Sequence, residues 1–295
     1  MGPDKLGTAD PIVATSVVTI ANNDEWEMNV EIRVLVKRRQ KAYLAKGQSG
    51  SVESIGSIAG EVESFGILTI KDLLTAIETR SLNQEKLARL VCLATKIVPN
   101  AVAPALVDIL GTTRSRSLWF QAATGLGYLK LKVGKQTLIR ALLTNPNPWK
   151  RMTAAYALTF RSRWNADVMD ALVKSAKVDS STKVRARAIE SLHVAPKRVI
   201  PDLRLFLRDR NPTVRFWACY VLSQLGGQKE IQLLSKSVED KGCPKDTGMN
   251  RTVGQEAQWA IEHIRERLAW RKALPGDGSN VTNQRRRVRG RKRTS

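Results

Sequence analysis

The chain has 295 residues, 42% hydrophobic and 26% charged, with 49 Lys and Arg against 27 Asp and Glu for a net charge of +22. That length can bury a core without disulfide or metal staples, and the lack of any apolar run of about 18 residues argues against a transmembrane helix. A field this positive favours polyanions, nucleic acid before anionic membrane or acidic protein.

The charge is uneven. Residues 1–66 carry seven basic and nine acidic side chains, residues 148–217 carry fifteen and six, and residues 285–295 carry seven and none. Without that last stretch the chain still holds +15, so the body is basic as well as the tail. The opening MGPDKLGTADP has neither the basic start nor the apolar run of a signal peptide, and Leu6 stands where a myristoylation signal has Ser or Thr. Cys92, Cys219 and Cys243 are odd in number and far apart, which predicts buried thiols in a reducing compartment, cytoplasmic or, in a eukaryote, nuclear.

In chain order, IVATSVVTI (12–20) and EMNVEIRVLVKRR (27–39) alternate apolar and polar residues and predict a small β element over 1–46. Gly and Ser between 47 and 66 predict a linker. LTIKDLLTAIETRS (68–81) and NQEKLARLVCLATKIV (83–98) read as a degenerate first helical repeat. From there the chain repeats itself. Aligned on Trp119, Arg151, Arg185, Arg215 and Gly254, every copy has Ala three residues later and Leu or Ile seven residues later. The residues just before are Leu118, Lys150, Val184, Val214 and Val253. These positions share one helix face. An apolar segment precedes each such helix, at 102–110, 135–143, 166–176, 199–207 and 230–238. Each unit is thus a helical hairpin that neighbours must cover, and about six fill 67–273. Residues 243–252 should form a loop, and the basic tail 274–295 should be disordered.

DSSTKVRARAIESL and DRNPTVRFWACYVL, with Asp six residues before Arg, resemble HEAT repeats, in particular the short HEAT-like class first associated with phycobilisome lyases. The resemblance implies an all-α fold, a right-handed α-solenoid. It also implies a structural ladder between repeats made by Asp179, Arg185, Asp209 and Arg215. Arg151 keeps only the basic half of that motif, and the Trp119 and Gly254 units keep neither half.

Catalytic patterns are missing: no HExxH, Walker loop, GxSxG or CxxC occurs, and His193 and His263 stand on different helices. Two enzyme families use this kind of solenoid, bilin lyases and DNA glycosylases. A glycosylase-like reading would need a carboxylate on the inner face, where only Glu190 and Glu256 occur in the outward columns. No metal or cofactor is expected.

Opposite the core stripe, six of fifteen positions are aromatic: Tyr128, Tyr156, Phe160, Trp217, Tyr220 and Trp259. In HEAT solenoids the second helices line the concave side, so these rings should form a ridge there, part of it packing between adjacent helices. Lys150, Arg161, Arg163, Lys183 and Arg187 lie beside it in sequence. With the tail residues Arg285, Arg286, Arg287, Arg289, Arg291, Lys292 and Arg293 they make candidate phosphate contacts, the rings stacking on bases or on a partner. The expectation is a non-enzymatic scaffold associating with nucleic acid. The competing reading is an adaptor for a peptide or an acidic protein domain.

Overall fold

The computed structural model describes residues 31–47, 49–129, 131–162, 165–245 and 249–273. The chain forms two compact units, residues 1–105 and 106–295. Fourteen α-helices and no strand occur among the described residues. In the first unit α1 (Ile32–Leu44), α2 (Ser49–Glu63), α3 (Ile70–Thr79) and α4 (Gln84–Ile97) pack together. Thr69 caps α3 in a reciprocal box with Asp72, and Asn83 caps α4 through the Lys86 amide.

This corrects the reading of the N-terminal region. Residues 32–39 are helix, and the expected linker holds the helix α2. Ile32 and Val36 are buried one turn apart, while Val34, on the supposed strand face, is exposed. The run KRRQKA that follows is made of good helix formers, so the i, i+4 spacing prevails over the alternation. Beneath the Gly and Ser of α2, Ile55, Ala59 and Val62 repeat at helical spacing and are buried. The supposed strand at 12–20 and the tail from 274 lie outside the described residues.

The second unit begins within α5 (Pro99–Thr112) and continues with α6 (Arg116–Tyr128), α7 (Lys132–Thr144), α8 (Pro148–Ser162), α9 (Ala166–Val178), α10 (Thr182–Glu190), α11 (Ile200–Phe206), α12 (Pro212–Leu225), α13 (Gln228–Leu234) and α14 (Val253–Ala273). Helices α7 with α8, α9 with α10, α11 with α12 and α13 with α14 form hairpins. The second helices α6, α8, α10, α12 and α14 pack in succession. Their fourteen apolar stripe positions are all buried, from Leu118, Ala122 and Leu126 through to Val253, Ala257 and Ile261. That burial drives the stacking. Pro148 and Pro212 open α8 and α12, where the missing N–H costs no helical bond. Helix α10 tightens into a 3-10 turn at Ser191–Val194 because Ala195 must be extended before Pro196.

Gly254 stands at the anchor position that holds Arg in the three preceding repeats. Its amide donates to the Asp240 carbonyl at 2.9 Å, and a Cβ there would strike the Val238 carbonyl backbone. The start of α14 is therefore pressed onto the backbone at Val238–Asp240, which follows α13, leaving no room for a side chain. Gly254→Ala should destabilise the protein by about 1–3 kcal/mol. A thermal or urea melt at wild-type values would show that the two backbones can part freely.

Candidate functional site

The first-to-second-helix turns share one construction. Asn145, Asp179, Asp209 and Asp240 each accept, through Oδ1, the amide two residues on, from Asn147, Ser181, Asn211 and Gly242 at 2.8–3.0 Å. The next anchor arginine then donates back to that turn: Arg151 to the Asn145 carbonyl, Arg185 to Asp179 and Arg215 to Asp209, at 2.8, 3.2 and 2.8 Å. The same arginines reach forward to the following repeat. Arg151 forks onto Asp179 at 2.7 and 2.8 Å, Arg185 stands 3.6 Å from Asp209, and Arg215 forks onto Asp240 at 2.7 and 3.0 Å. At the head of the series Trp119 replaces arginine and donates its indole N–H to the Leu110 carbonyl at 3.1 Å.

Arg151 and Asp240 are thus rungs beyond the four residues that the resemblance implied. Asp240 escapes the six-residue motif because a long connection separates it from Gly254. The signal that finds it is the spacing from the preceding arginine, 25 residues here and 28 from Arg151 to Asp179.

A second set of pairs joins the first helices. Lys135 holds Asp167 at 2.7 Å, Arg198 holds Asp170 at 3.2 Å and Lys177 holds Asp202 at 2.6 Å. Glu230 is buried against Arg204 and accepts the Gly227 amide at 2.7 Å. Burial works against its charge, yet Arg204 and that amide hold the carboxyl below the usual range.

The aromatic positions on the second helices meet as two groups. Tyr128 stacks on Phe160 at 4.1 Å, Phe160 meets Tyr156 edge-on at 5.6 Å, and Tyr156 stacks with Phe120 at 5.8 Å. Tyr128 keeps 62% of its surface exposed and Phe160 37%. Phe120, one position outside the columns used above, belongs to this group and was missed for that reason. The second group joins Trp217 to Tyr220 at 5.4 Å, Tyr220 to Trp259 at 6.3 Å and Trp259 to His263 at 5.1 Å. Between the groups Arg187 pairs with Glu190 at 2.8 Å and lies over the Tyr156 ring. His193 turns its Nδ1 to the Glu190 carbonyl at 2.8 Å.

Of the body cations singled out in the sequence, Lys150 is half-buried and donates to the Thr113 carbonyl at 3.2 Å, beside the Trp119 ring. It closes the stack where the other copies have an apolar residue. Lys183 is exposed at the start of α10. The side chain of Arg161 and all of Arg163 lie outside the described residues, as do Arg285, Arg286, Arg287, Arg289, Arg291, Lys292 and Arg293.

The two carboxylates of the outward columns differ. Glu190 is half-buried against Arg187, whereas the Glu256 side chain has no exposed surface. Arg251 stands 2.8 Å from Glu256, but neither carboxylate oxygen has a hydrogen-bond partner among the described residues. Burial raises the Glu256 carboxyl above its usual range, only partly offset by Arg251. Asp240 moves the other way, held low chiefly by the Arg215 fork.

These opposite shifts predict opposite pH effects. The Asp240 pair stabilises above the unfolded-state value and is lost as pH falls through the depressed folded value, so Asp240→Asn should flatten the acid limb. Glu256 is best tolerated below about pH 4, near its unfolded value, and stability drains away as pH rises through its raised folded value. Glu256→Gln should remove that decline, read by urea unfolding from pH 3 to 8; a wild-type slope in both variants would sink this assignment. Asp179→Ala, which strands the Arg151 guanidinium in a largely buried site, should cost about 3 kcal/mol.

Among the described residues no helix is long and apolar enough to cross a membrane. No curated protein matches the chain closely enough to count as a relative. A family model of HEAT repeats matches residues 103–193 and again 169–242, the same stretch that carries the stacked hairpins and the rungs between them. Residues 103–242 thus match HEAT repeats, in keeping with the helical hairpins that stack there.

Proposed function

We propose that this HEAT-repeat protein is a non-enzymatic scaffold that associates with nucleic acid inside the cell. One observation carries the reading. All six acidic residues between 148 and 217 are engaged in ion pairs with neighbouring cations: Asp167, Asp170, Asp179, Glu190, Asp202 and Asp209. Lys174, Lys197, Arg208 and Arg210 remain exposed without such a partner among the described residues. The surface charge left over is therefore positive, which suits a phosphate backbone. The basic tail adds affinity of the same kind.

A second reading rests on the ring groups. Half-exposed rings that already support one another offer a preorganised face for a partner's side chains, and cost little entropy on binding. In that case the chain is a protein adaptor, and its binding should depend on Tyr156, Trp217, Tyr220 and Trp259 and survive removal of the tail.

Fluorescence anisotropy with single- and double-stranded oligonucleotides decides between them, using the full chain and a 1–274 truncation. The scaffold reading expects the truncation to bind, with affinity falling at least about tenfold between roughly 50 and 200 mM salt. No binding by either form near physiological salt would leave the adaptor reading standing alone.

A further inference from the structure

The exposed cations of the HEAT unit are not spread evenly over it. On the first-helix layer Lys135, Lys177, Arg198 and Arg204 are taken up by carboxylates of adjacent repeats, while Arg140, Lys174 and Lys236, far apart in sequence, stay exposed without an ion pair among the described residues. Toward the second-helix face Arg187 and Arg251 are held by Glu190 and Glu256, while Arg265 and Arg271 stay exposed near the end of α14. The intra-repeat turns are different. They are tied into one row by Lys150 on the Thr113 carbonyl, by the arginine rungs, and by the Lys245 amide on Thr213 Oγ1 at 3.0 Å. Along that row Arg114, Arg116, Arg208, Arg210, Lys241 and Lys245 are all exposed. None makes an ion pair among the described residues.

The carboxylates of the same turns do not cancel them. Asp179, Asp209 and Asp240 already face arginines and turn amides, leaving Glu239 as the one carboxylate of the row outside a pair among the described residues. Four of the six cations are guanidinium groups, whose planar fork matches phosphate oxygens. Arg116 also lies 5.6 Å from the Trp149 ring, so an aromatic face stands in the row. Among the described residues the opposite edge shows exposed Lys132, Lys197 and Lys229, while Lys130, Arg163 and the Arg161 side chain of the same edge lie outside them.

From this placement we infer that the row of intra-repeat turns, rather than the aromatic second-helix face, is the track for the nucleic-acid phosphate backbone. The inference rests on the nucleic-acid reading above and gives it a surface. The anchor arginines do not touch the ligand. They hold the turns in line and neutralise the aspartates that would otherwise repel phosphate.

The test compares two charge reversals of equal size in the full chain, R208E/R210E on the turn row and K197E/K229E on the opposite edge. Affinity for a 20-nucleotide single strand and for the matching duplex is measured over a salt series. The turn-row variant should lose at least about tenfold in affinity at roughly 100 mM salt, and its salt slope should shrink by about 2. The opposite-edge variant should stay within about threefold of wild type. All four positions are exposed, so both variants should melt as the wild type does. Equal losses in the two variants, or none, overturn the inference while leaving the nucleic-acid reading intact. Failure of the wild type to bind removes both. Displacement of the oligonucleotide by polyglutamate at equal charge concentration overturns the inference in favour of an acidic polypeptide.

Discussion

An arginine at the start of each middle second helix spans two turns at once. It donates to a carbonyl of its own turn and to a carboxylate of the next, as Arg151 does with Asn145 and Asp179. A hairpin with one buried face can slide or tilt against its neighbour if only apolar contact holds it, because hydrophobic burial has little directional preference. The guanidinium fork supplies direction, and its half-buried setting makes misalignment costly. The first turn of the series shows the same logic without charge. Trp119 has no charge to offer Asn145, and the residue that shapes that turn is a neutral amide rather than a carboxylate. Aspartate appears at 179, 209 and 240, where an arginine arrives from the repeat before. Asp and Asn make the same turn, so the charge present upstream accounts for the difference between them.

Holding the repeats in this way has a consequence at the surface. Carboxylates that align the hairpins are spent internally, both in the turns and between first helices. The chain can therefore carry a large positive charge without losing the ion pairs that register its stack. Excess lysines and arginines need no internal partner and project from the turns. The aromatic residues follow another course. Tyr128 on Phe160 and Tyr220 on Trp259 spend part of their surface on one another, which stiffens the second-helix face whether or not a ligand reaches it.

Much of the stack was legible in the residue string because its core stripe is a strict copy: small Ala at one position and Leu or Ile four residues on, in each second helix. Such a period survives loss of the polar motif, so the Trp119 and Gly254 units could be aligned without it. What failed did so for physical reasons. Alternating Val and Ile near 30–36 satisfy strand and helix spacing together, and only the helix-forming residues that follow break the tie. Gly and Ser in α2 mask Ile55, Ala59 and Val62, which are buried. Lys150 looked like a surface cation; its long stem lets it sit half-buried and still reach the Thr113 carbonyl. Asp240 was hidden by the length of its loop. Arg208 and Arg210, without an ion pair among the described residues, could not be told from paired cations, since pairing depends on which repeat's carboxylate comes within reach.

The central claim is that the stack's free positive charge, and with it the ligand, lies along the intra-repeat turns. Hydrogen–deuterium exchange of the full chain, with and without a saturating 20-nucleotide strand, tests that most directly. Slowed exchange at 112–117, 207–212 and 241–245, with the ring-bearing faces of α8 and α14 unchanged, is the predicted result. Protection confined to those second helices, or to residues beyond 274, would contradict it.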